Sequence, residues 1–397
     1  LSGKKLNILV LSNRLPYPLN DGGNIATYKN IEYFNKIGYK VSLFSLNTKK
    51  HWHSPDPLEK ICQVYAFDIE TGLQVSTVFK YGFNFNKFAL GRFYSAEIEH
   101  SLAQLLAKES FDIIQLEGPY MWVYKKALQK KGKAKVVLRA HNIEHLIWQR
   151  QAKNEKRFFK RLLAKKYAQN LKQLEYELLP NLDGVIAISD EDEAYFKQMG
   201  FKGLLSSINA GIELGAICET LKPTPNTIGF IGSLEWLPNV MGLEWFVKEV
   251  WDKVLELHPK AELHVAGKNP IERVKAINAK NYVFYGMVDS AKVFTQQNEL
   301  MIVPLLSGSG MRMKIIEAMA NKKCVVSTSI GAEGIQLENK KDAWIEDNPQ
   351  KMAEAIAFLL KNKAKNAEIA ENGYGFVQKN YDWNELILNF ANFYETV

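Results

Sequence analysis

Arg312 and Lys314 stand two residues apart, just after Gly308-Ser309-Gly310, and Glu317 follows one helical turn later. The apolar run Leu300-Met301-Ile302-Val303-Pro304-Leu305-Leu306 precedes them and reads as a buried strand. Glycines let a backbone approach a ligand closely, and the unpaired N–H groups at a helix start favour an anion. Two cations in that first turn add donors for a phosphate, and a carboxylate one turn further on suits a sugar hydroxyl. Together they point to a nucleotide-sugar. The competing reading is a glycine-rich turn opening an ordinary helix, with both cations solvated. In a helical register Met313, Ile316 and Ala320 face a sheet, which leaves Arg312 with the loop near the strand ends.

Other residues capable of chemistry also follow strand-like runs. Leu6–Ser12 leads into a turn containing Arg14, Gly22, Gly23 and Asn24, suited to an anion or a hydroxyl-rich acceptor. Glu117 follows the run from Phe111, and His141 follows the run from Lys135. Gly232 and Ser233 follow Thr227–Ile231. His141-Asn142-Ile143-Glu144-His145 fits a His-x-x-Glu-His zinc pattern. His141 ends a strand in this reading and no third ligand presents itself, so no metal is expected. A donor-site role and a plain strand-capping histidine both stay open for it. Asp190-Glu191-Asp192 follows Ser189 at a helix start, where acids complement the dipole.

The elements that must position these residues alternate between strand and helix. In the first half the strands read as Leu6–Ser12, Lys40–Leu46, Gln63–Asp68, Phe111–Leu116, Lys135–Arg139 and Gly184–Ile188, with one helix expected from Asn142 to Leu179. A second series starts at Thr227, with strands at Thr227–Ile231, Glu262–Ala266, Tyr282–Tyr285, Glu299–Pro304 and Cys324–Thr328. The polar, proline-bearing stretch before it reads as a linker. The expected organisation is an α/β chain of two Rossmann-like domains facing across a cleft. Residues 1–210 form the first domain, 211–226 the linker, 227–380 the second domain, and 381–397 a terminal helix returning to the first.

Composition narrows the partners. The 397 residues are 47% apolar and 24% charged, with a formal charge of +8, and exceed the usual size of one core. No apolar run reaches the roughly eighteen residues that a membrane span needs, and the start is too short and polar for a signal peptide. A cytoplasmic protein is expected, with peripheral contact at the inner face of a membrane as one option. Between Trp148 and Lys172 nine basic residues face one acid, Glu155, while apolar residues recur at helical spacing. Such a helix, within 148–178, suits anionic lipid headgroups; a packed helix with a solvated basic face is the alternative. Nucleic acid is not expected, because aromatic platforms and nucleic-acid motifs are missing. The three cysteines lack metal spacing and read as buried thiols.

These residues resemble glycosyltransferase family 4, whose members have the GT-B fold. The resemblance rests on Pro16-Tyr17-Pro18 with Gly22-Gly23, on Arg139-Ala140-His141-Asn142-Ile143-Glu144, and on Asn209-Ala210-Gly211-Ile212-Glu213. It continues through Gly229-Phe230-Ile231-Gly232-Ser233, Trp236-Leu237-Pro238-Asn239, Gly286-Met287-Val288, the Gly308–Glu317 loop and Gly331-Ala332-Glu333-Gly334. It implies a retaining, metal-independent transfer, with hexose the expected sugar, from a UDP- or GDP-sugar to a glycan or lipid-linked acceptor in cell-surface polysaccharide synthesis. The nucleotide-sugar is a co-substrate, and no cofactor is implied. By similarity Glu317 binds the donor ribose as the second glutamate of a Glu-x7-Glu motif, and Gly286 and Val288 meet the nucleobase. His141 lies near the donor sugar, while Gly22 and Gly23 lie near the diphosphate and acceptor. Ser309 occupies the first motif glutamate's position. The basic pair usual after the first donor-domain strand is absent, with Ser233 and Asn239 in that region, so Arg312 and Lys314 are the expected diphosphate neutralisers. Two rivals remain: a nucleotide-sugar epimerase of the same fold, and a catalytically silent membrane-associated scaffold.

Overall fold

Short runs rich in Val, Ile and Leu, bounded by polar turns, become strands that are buried on both faces in the middle of each sheet. The computed structural model describes residues 4–19, 22–49, 52–70, 91–155, 157–215, 221–307 and 312–397. It divides into two units, Leu1–Gly211 with Leu386–Val397, and Ile212–Glu385.

The first unit holds β1 (Asn7–Ser12), β2 (Lys40–Thr48), β3 (Gln63–Ile69), β4 (Ile113–Glu117), β5 (Lys135–Ala140), β6 (Gly184–Ala187) and β7 (Leu204–Ser207). All pair in parallel, in the order β3-β2-β1-β4-β5-β6-β7. Its principal helices are α1 (Gly22–Lys36), α2 (Ala96–Lys108), α3 (Glu144–Asn154), α4 (Phe158–Leu178) and α5 (Asp190–Gln198). Leu9, Leu11, Ile114, Leu116, Val136 and Leu138 project from the sheet into a core shared with Leu102, Leu171 and Leu178.

The second unit holds β8 (Thr227–Ile231), β9 (Glu262–Ala266), β10 (Tyr282–Gly286), β11 (Leu300–Val303), β12 (Cys324–Ser327) and β13 (Trp344–Ile345). These are also parallel, in the order β10-β9-β8-β11-β12-β13. Its helices include α6 (Leu237–Trp245), which runs through a π-helical segment, Phe246–Trp251, to Leu257. They also include α7 (Ala291–Gln297), α8 (Met313–Ala320), α9 (Pro349–Lys361) and α10 (Lys363–Tyr381). A final helix, α11 (Trp383–Thr396), begins in the second unit and belongs to the first from Leu386 onward.

Each sheet is a Rossmann-like parallel sheet whose order reverses beside its first strand, between β1 and β4 and between β8 and β11. Ligands in such sheets bind beyond the strand ends at that reversal.

One expected element is corrected. The helix expected from Asn142 to Leu179 is two helices, α3 and α4, interrupted near Glu155. The Glu155 carboxylate accepts the Arg157 backbone N–H at 2.9 Å, a local bond that competes with helix continuation. The two helices then pack on one another, with the Trp148 and Tyr167 rings 4.4 Å apart. Among the described residues no helix is long and apolar enough to cross a membrane.

Candidate active site

In the first unit the reversal point gathers a polar cluster. Glu117 ends β4, in register with Ser12 of β1 on one side and Arg139 of β5 on the other. Both Glu117 and Arg139 are buried, and Arg139 Nη1 lies 3.3 Å from Glu117 Oε2. Thr27 of α1 donates its hydroxyl to the same oxygen at 2.9 Å. Gln115 donates to Glu117 Oε1 and, at 2.9 Å, to Asn30 Oδ1. His141, just past β5, brings Nε2 against Glu117 Oε2.

Burial alone would raise the Glu117 pKa. The charges of Arg139 and His141, with hydrogen bonds from His141 and Thr27, overcome it and hold the carboxyl down to about 2. Glu117 is therefore a fixed anion whose oxygens are occupied by protein groups. It orients His141, whose ring remains partly exposed. Among the described residues Arg139 Nε and Nη2 have no hydrogen-bond partner, and the guanidinium lies 5.4 Å from the Phe390 ring of α11. Tyr394, one turn further along α11, donates its hydroxyl to Gln115 Oε1.

The remaining first-unit residues flank this cluster. Ser12 donates its hydroxyl to the Arg14 carbonyl at 2.7 Å. Gly22 and Gly23 open α1, and among the described residues a Cβ at Gly22 would meet nothing within 4 Å. Asn24 is buried and its amide donates to the Pro18 carbonyl at 3.0 Å, so it shapes the turn.

The His-x-x-Glu-His pattern is divided between two environments. His141 precedes α3, while His145 lies within it and is buried. His145 Nδ1 contacts Glu175 and Nε2 lies 3.0 Å from the Tyr195 hydroxyl. Among the described residues no three His, Cys, Asp or Glu side chains could hold a metal together. Ser189 accepts the Asp192 N–H at 3.1 Å, so the acidic triplet sits in a helix cap.

In the second unit the reversal point gathers cations around a glycine. Lys314, in the first turn of α8, donates to Asn239 Oδ1 at 2.6 Å. The Asn239 amide in turn donates to the Ser233 carbonyl at 2.8 Å. A Cβ on Gly232 would lie 2.8 Å from both Lys314 Nζ and Asn239 Nδ2, so the ammonium occupies space that a side chain would take. Although Lys314 as a whole is half-buried, its ammonium is enclosed. Burial and the neighbouring Arg312 push its pKa down to about 8, against the pull of Glu317. Arg312 precedes α8 and is buried, with its guanidinium 5.9 Å from the ring of the exposed Trp236. Burial lowers its pKa and Glu333 opposes that shift.

Glu317 is exposed one turn along α8 from Lys314. Gly286 ends β10 with φ 65°, and its carbonyl accepts the Gly267 N–H at 2.7 Å. Val288 is half-buried beside it. Gly308, Ser309 and Gly310 lie outside the described residues. Arg139, quoted above only within a motif, and Thr27, Gln115 and Tyr394 carry no site role in the sequence. A signal existed for two of them: Arg139 and Gln115 interrupt otherwise apolar strands, and a buried polar side chain must have partners there.

Comparison with known proteins identifies the kind of chain that carries these residues. Residues 21–215 match the family described as Glycosyltransferase Family 4, and residues 225–362 match Glycosyl transferases group 1. Residues 21–215 carry the family 4 match, and the chain is a glycosyltransferase. This glycosyltransferase is 26% identical over 393 residues to an uncharacterized 44.6 kDa protein in the cps region of Klebsiella pneumoniae, covering 94% of this chain and 96% of that one. Its fold is similar to that of Anabaena HepE in complex with UDP, with a TM-score of 0.66, 15% identity and coverage of 99% and 100% of the two chains. A mutant of S. aureus TarM in complex with fondaparinux, α-GlcNAc-glycerol and UDP matches with a TM-score of 0.64 at 12% identity, covering 98% and 100%. The two structural likenesses show that the glycosyltransferase has the GT-B fold.

Proposed function

We propose that this glycosyltransferase moves a hexose from a UDP- or GDP-sugar to a glycan or lipid-linked acceptor, with retention and without a metal, during surface polysaccharide synthesis. The observation that carries this reading is the Gly232–Asn239–Lys314 arrangement. A glycine leaves room beside a crowded ammonium at a helix start, which is the composition of a diphosphate site. Arg312 adds a second cation next to the stacking surface of Trp236.

In the proposed step the acceptor oxygen bonds to the anomeric carbon as the bond from that carbon to the diphosphate breaks. The acceptor proton passes to a diphosphate oxygen on the same face. Negative charge grows on the departing diphosphate, so Lys314 and Arg312 hold the transition state more tightly than the donor. Glu317 accepts from the ribose, Gly286 and Val288 border the base, and Gly232 and Ser233 border the phosphates. Gly308, Ser309 and Gly310 bind the donor in this reading, and His141, held by Glu117, acts at the transferring sugar. Arg14, Gly22, Gly23 and Asn24 form the acceptor-side turn. Anabaena HepE has been solved with UDP-glucose, which supports a uridine donor. The relative's cps region supports the polysaccharide setting.

The experiment is a thermal-shift screen of UDP- and GDP-sugars, followed by transfer assays and determination of the product's anomeric configuration. Stabilisation by one donor and a product that keeps its configuration are expected. An inverted product sinks the retaining mechanism, and isomerisation of the donor without acceptor establishes the epimerase instead.

A further inference from the structure

Helix α4 carries two apolar faces. Ala164, Ala168, Leu171, Leu174 and Leu178 are buried and account for its packing. Phe158, Phe159, Leu162 and Leu163 are instead 62%, 77%, 57% and 50% exposed. At about 100° per residue these four project on the side away from the buried row. Core formation does not explain them, and four exposed large apolar side chains within six residues mark an interaction surface.

The surrounding charge identifies the partner. Arg157, Lys160, Arg161, Lys165 and Lys166 are all exposed around the same two turns. Among the described residues none of the five has an acidic side chain within ion-pair distance. A second copy of this chain would bring the same five cations face to face. An anionic bilayer takes both components, cations at its phosphates and apolar side chains just beneath.

We propose that the first half of α4 docks this protein on an anionic lipid bilayer, with Phe158, Phe159, Leu162 and Leu163 entering the interfacial layer. The helix lies in the surface. This deepens the lipid-linked acceptor reading and rests on it for its purpose, because a surface-bound enzyme meets a membrane-held acceptor in two dimensions. The interruption at Glu155 is what frees this half-helix to end in an apolar tip.

Flotation with phosphatidylcholine vesicles, with and without phosphatidylglycerol, tests it. The wild-type protein is expected to float only with the anionic vesicles and to detach in high salt. The double variant Phe159→Ser/Leu163→Ser should lose roughly tenfold or more in partitioning. Lys160→Gln and Lys165→Gln should each lose roughly fivefold. Absence of flotation at low salt, equal binding to both vesicle types, or an undiminished Phe159→Ser/Leu163→Ser variant overturns the proposal. So does a concentration-dependent dimer that the same variant abolishes. Thermal shift with UDP- and GDP-sugars on the same preparations separates the two readings. A shift without flotation sinks only the membrane site, and flotation without a shift from any of these donors sinks only the nucleotide-sugar reading.

Discussion

The Tyr394 hydroxyl donates to the side-chain carbonyl of Gln115, a residue 279 positions earlier in the chain. Gln115 contacts Glu117, and Glu117 contacts His141. Three side-chain contacts thus connect α11 to the histidine assigned to the transferring sugar. Tyr394 is buried, and burial followed by the Glu117 charge raises its pKa well above the usual tyrosine value, so it stays a donor. Tyr394→Phe should cost about 1–3 kcal/mol, because Gln115 Oε1 loses its buried partner. Chemical denaturation measures that cost. A change in turnover but not in donor affinity would show that the chain of contacts positions His141.

Glu117 should be less dispensable. Glu117→Ala leaves Arg139 buried without its counter-charge, which costs about 3 kcal/mol or more. The folded carboxyl, near 2, lies below its ordinary value of 4.5. Its contribution is therefore complete above that ordinary value and is lost as the pH falls from there towards 2. Acid unfolding followed by circular dichroism should begin at higher pH in Glu117→Gln than in the parent.

Lys314 gives the opposite pH signature. Its folded pKa, about 8, lies below the ordinary 10.5, so the ligand-free fold carries a charge penalty below pH 8 that fades as the pH rises towards 10.5. Lys314→Met should stabilise the ligand-free protein while abolishing donor binding, a trade expected at an active site. In the parent, a bound diphosphate favours the charged ammonium, so UDP affinity should decline as the pH rises above 8. Calorimetry across that range checks the sign, and a flat profile removes Lys314 from the diphosphate site.

Two glycine variants separate binding from folding. Gly232→Ala meets only the tips of Lys314 and Asn239, which can move. It should fold normally and lose roughly tenfold or more in UDP affinity as the ammonium is displaced. Gly267→Ala would put a Cβ 1.9 Å from the Gly232 backbone carbonyl, which cannot yield without moving β8 or β9. Melting temperature should fall, corresponding to about 1–3 kcal/mol.

Turnover should persist in excess chelator. The Asp190-Glu191-Asp192 triplet sits in the cap of α5, and His145 is engaged by Glu175 and Tyr195. Rates measured with and without chelator decide this directly, and a loss restored by a divalent ion would require a metal in the mechanism.

Much of this architecture was legible because parallel strands announce themselves as short apolar runs. Thr227–Ile231 and Glu262–Ala266 were read to the residue. Leu204–Ser207 was not, since it is only half-buried and carries two serines, and two-residue β13 has no pattern to detect. The placement of Arg312, Lys314 and Glu317 at the start and along the first turns of α8 was legible from spacing. The Glu117 cluster was legible only in part, because its members come from β4, β5, α1 and α11, and no local rule links Tyr394 to Gln115. The break at Glu155 escaped because both helices keep the same periodicity across it.

The return of α11 has a consequence for how the polypeptide is made. The segment that seals Arg139 beneath Phe390 is translated after the whole second unit. A nascent first unit therefore leaves the ribosome with its charged interior unroofed, and it must wait through the synthesis of 174 intervening residues, Ile212–Glu385, before that roof arrives. Maturation of the amino-terminal half is in this way timed by the carboxyl-terminal one, and a stalled or clipped product would betray itself as a substrate for chaperones and proteases.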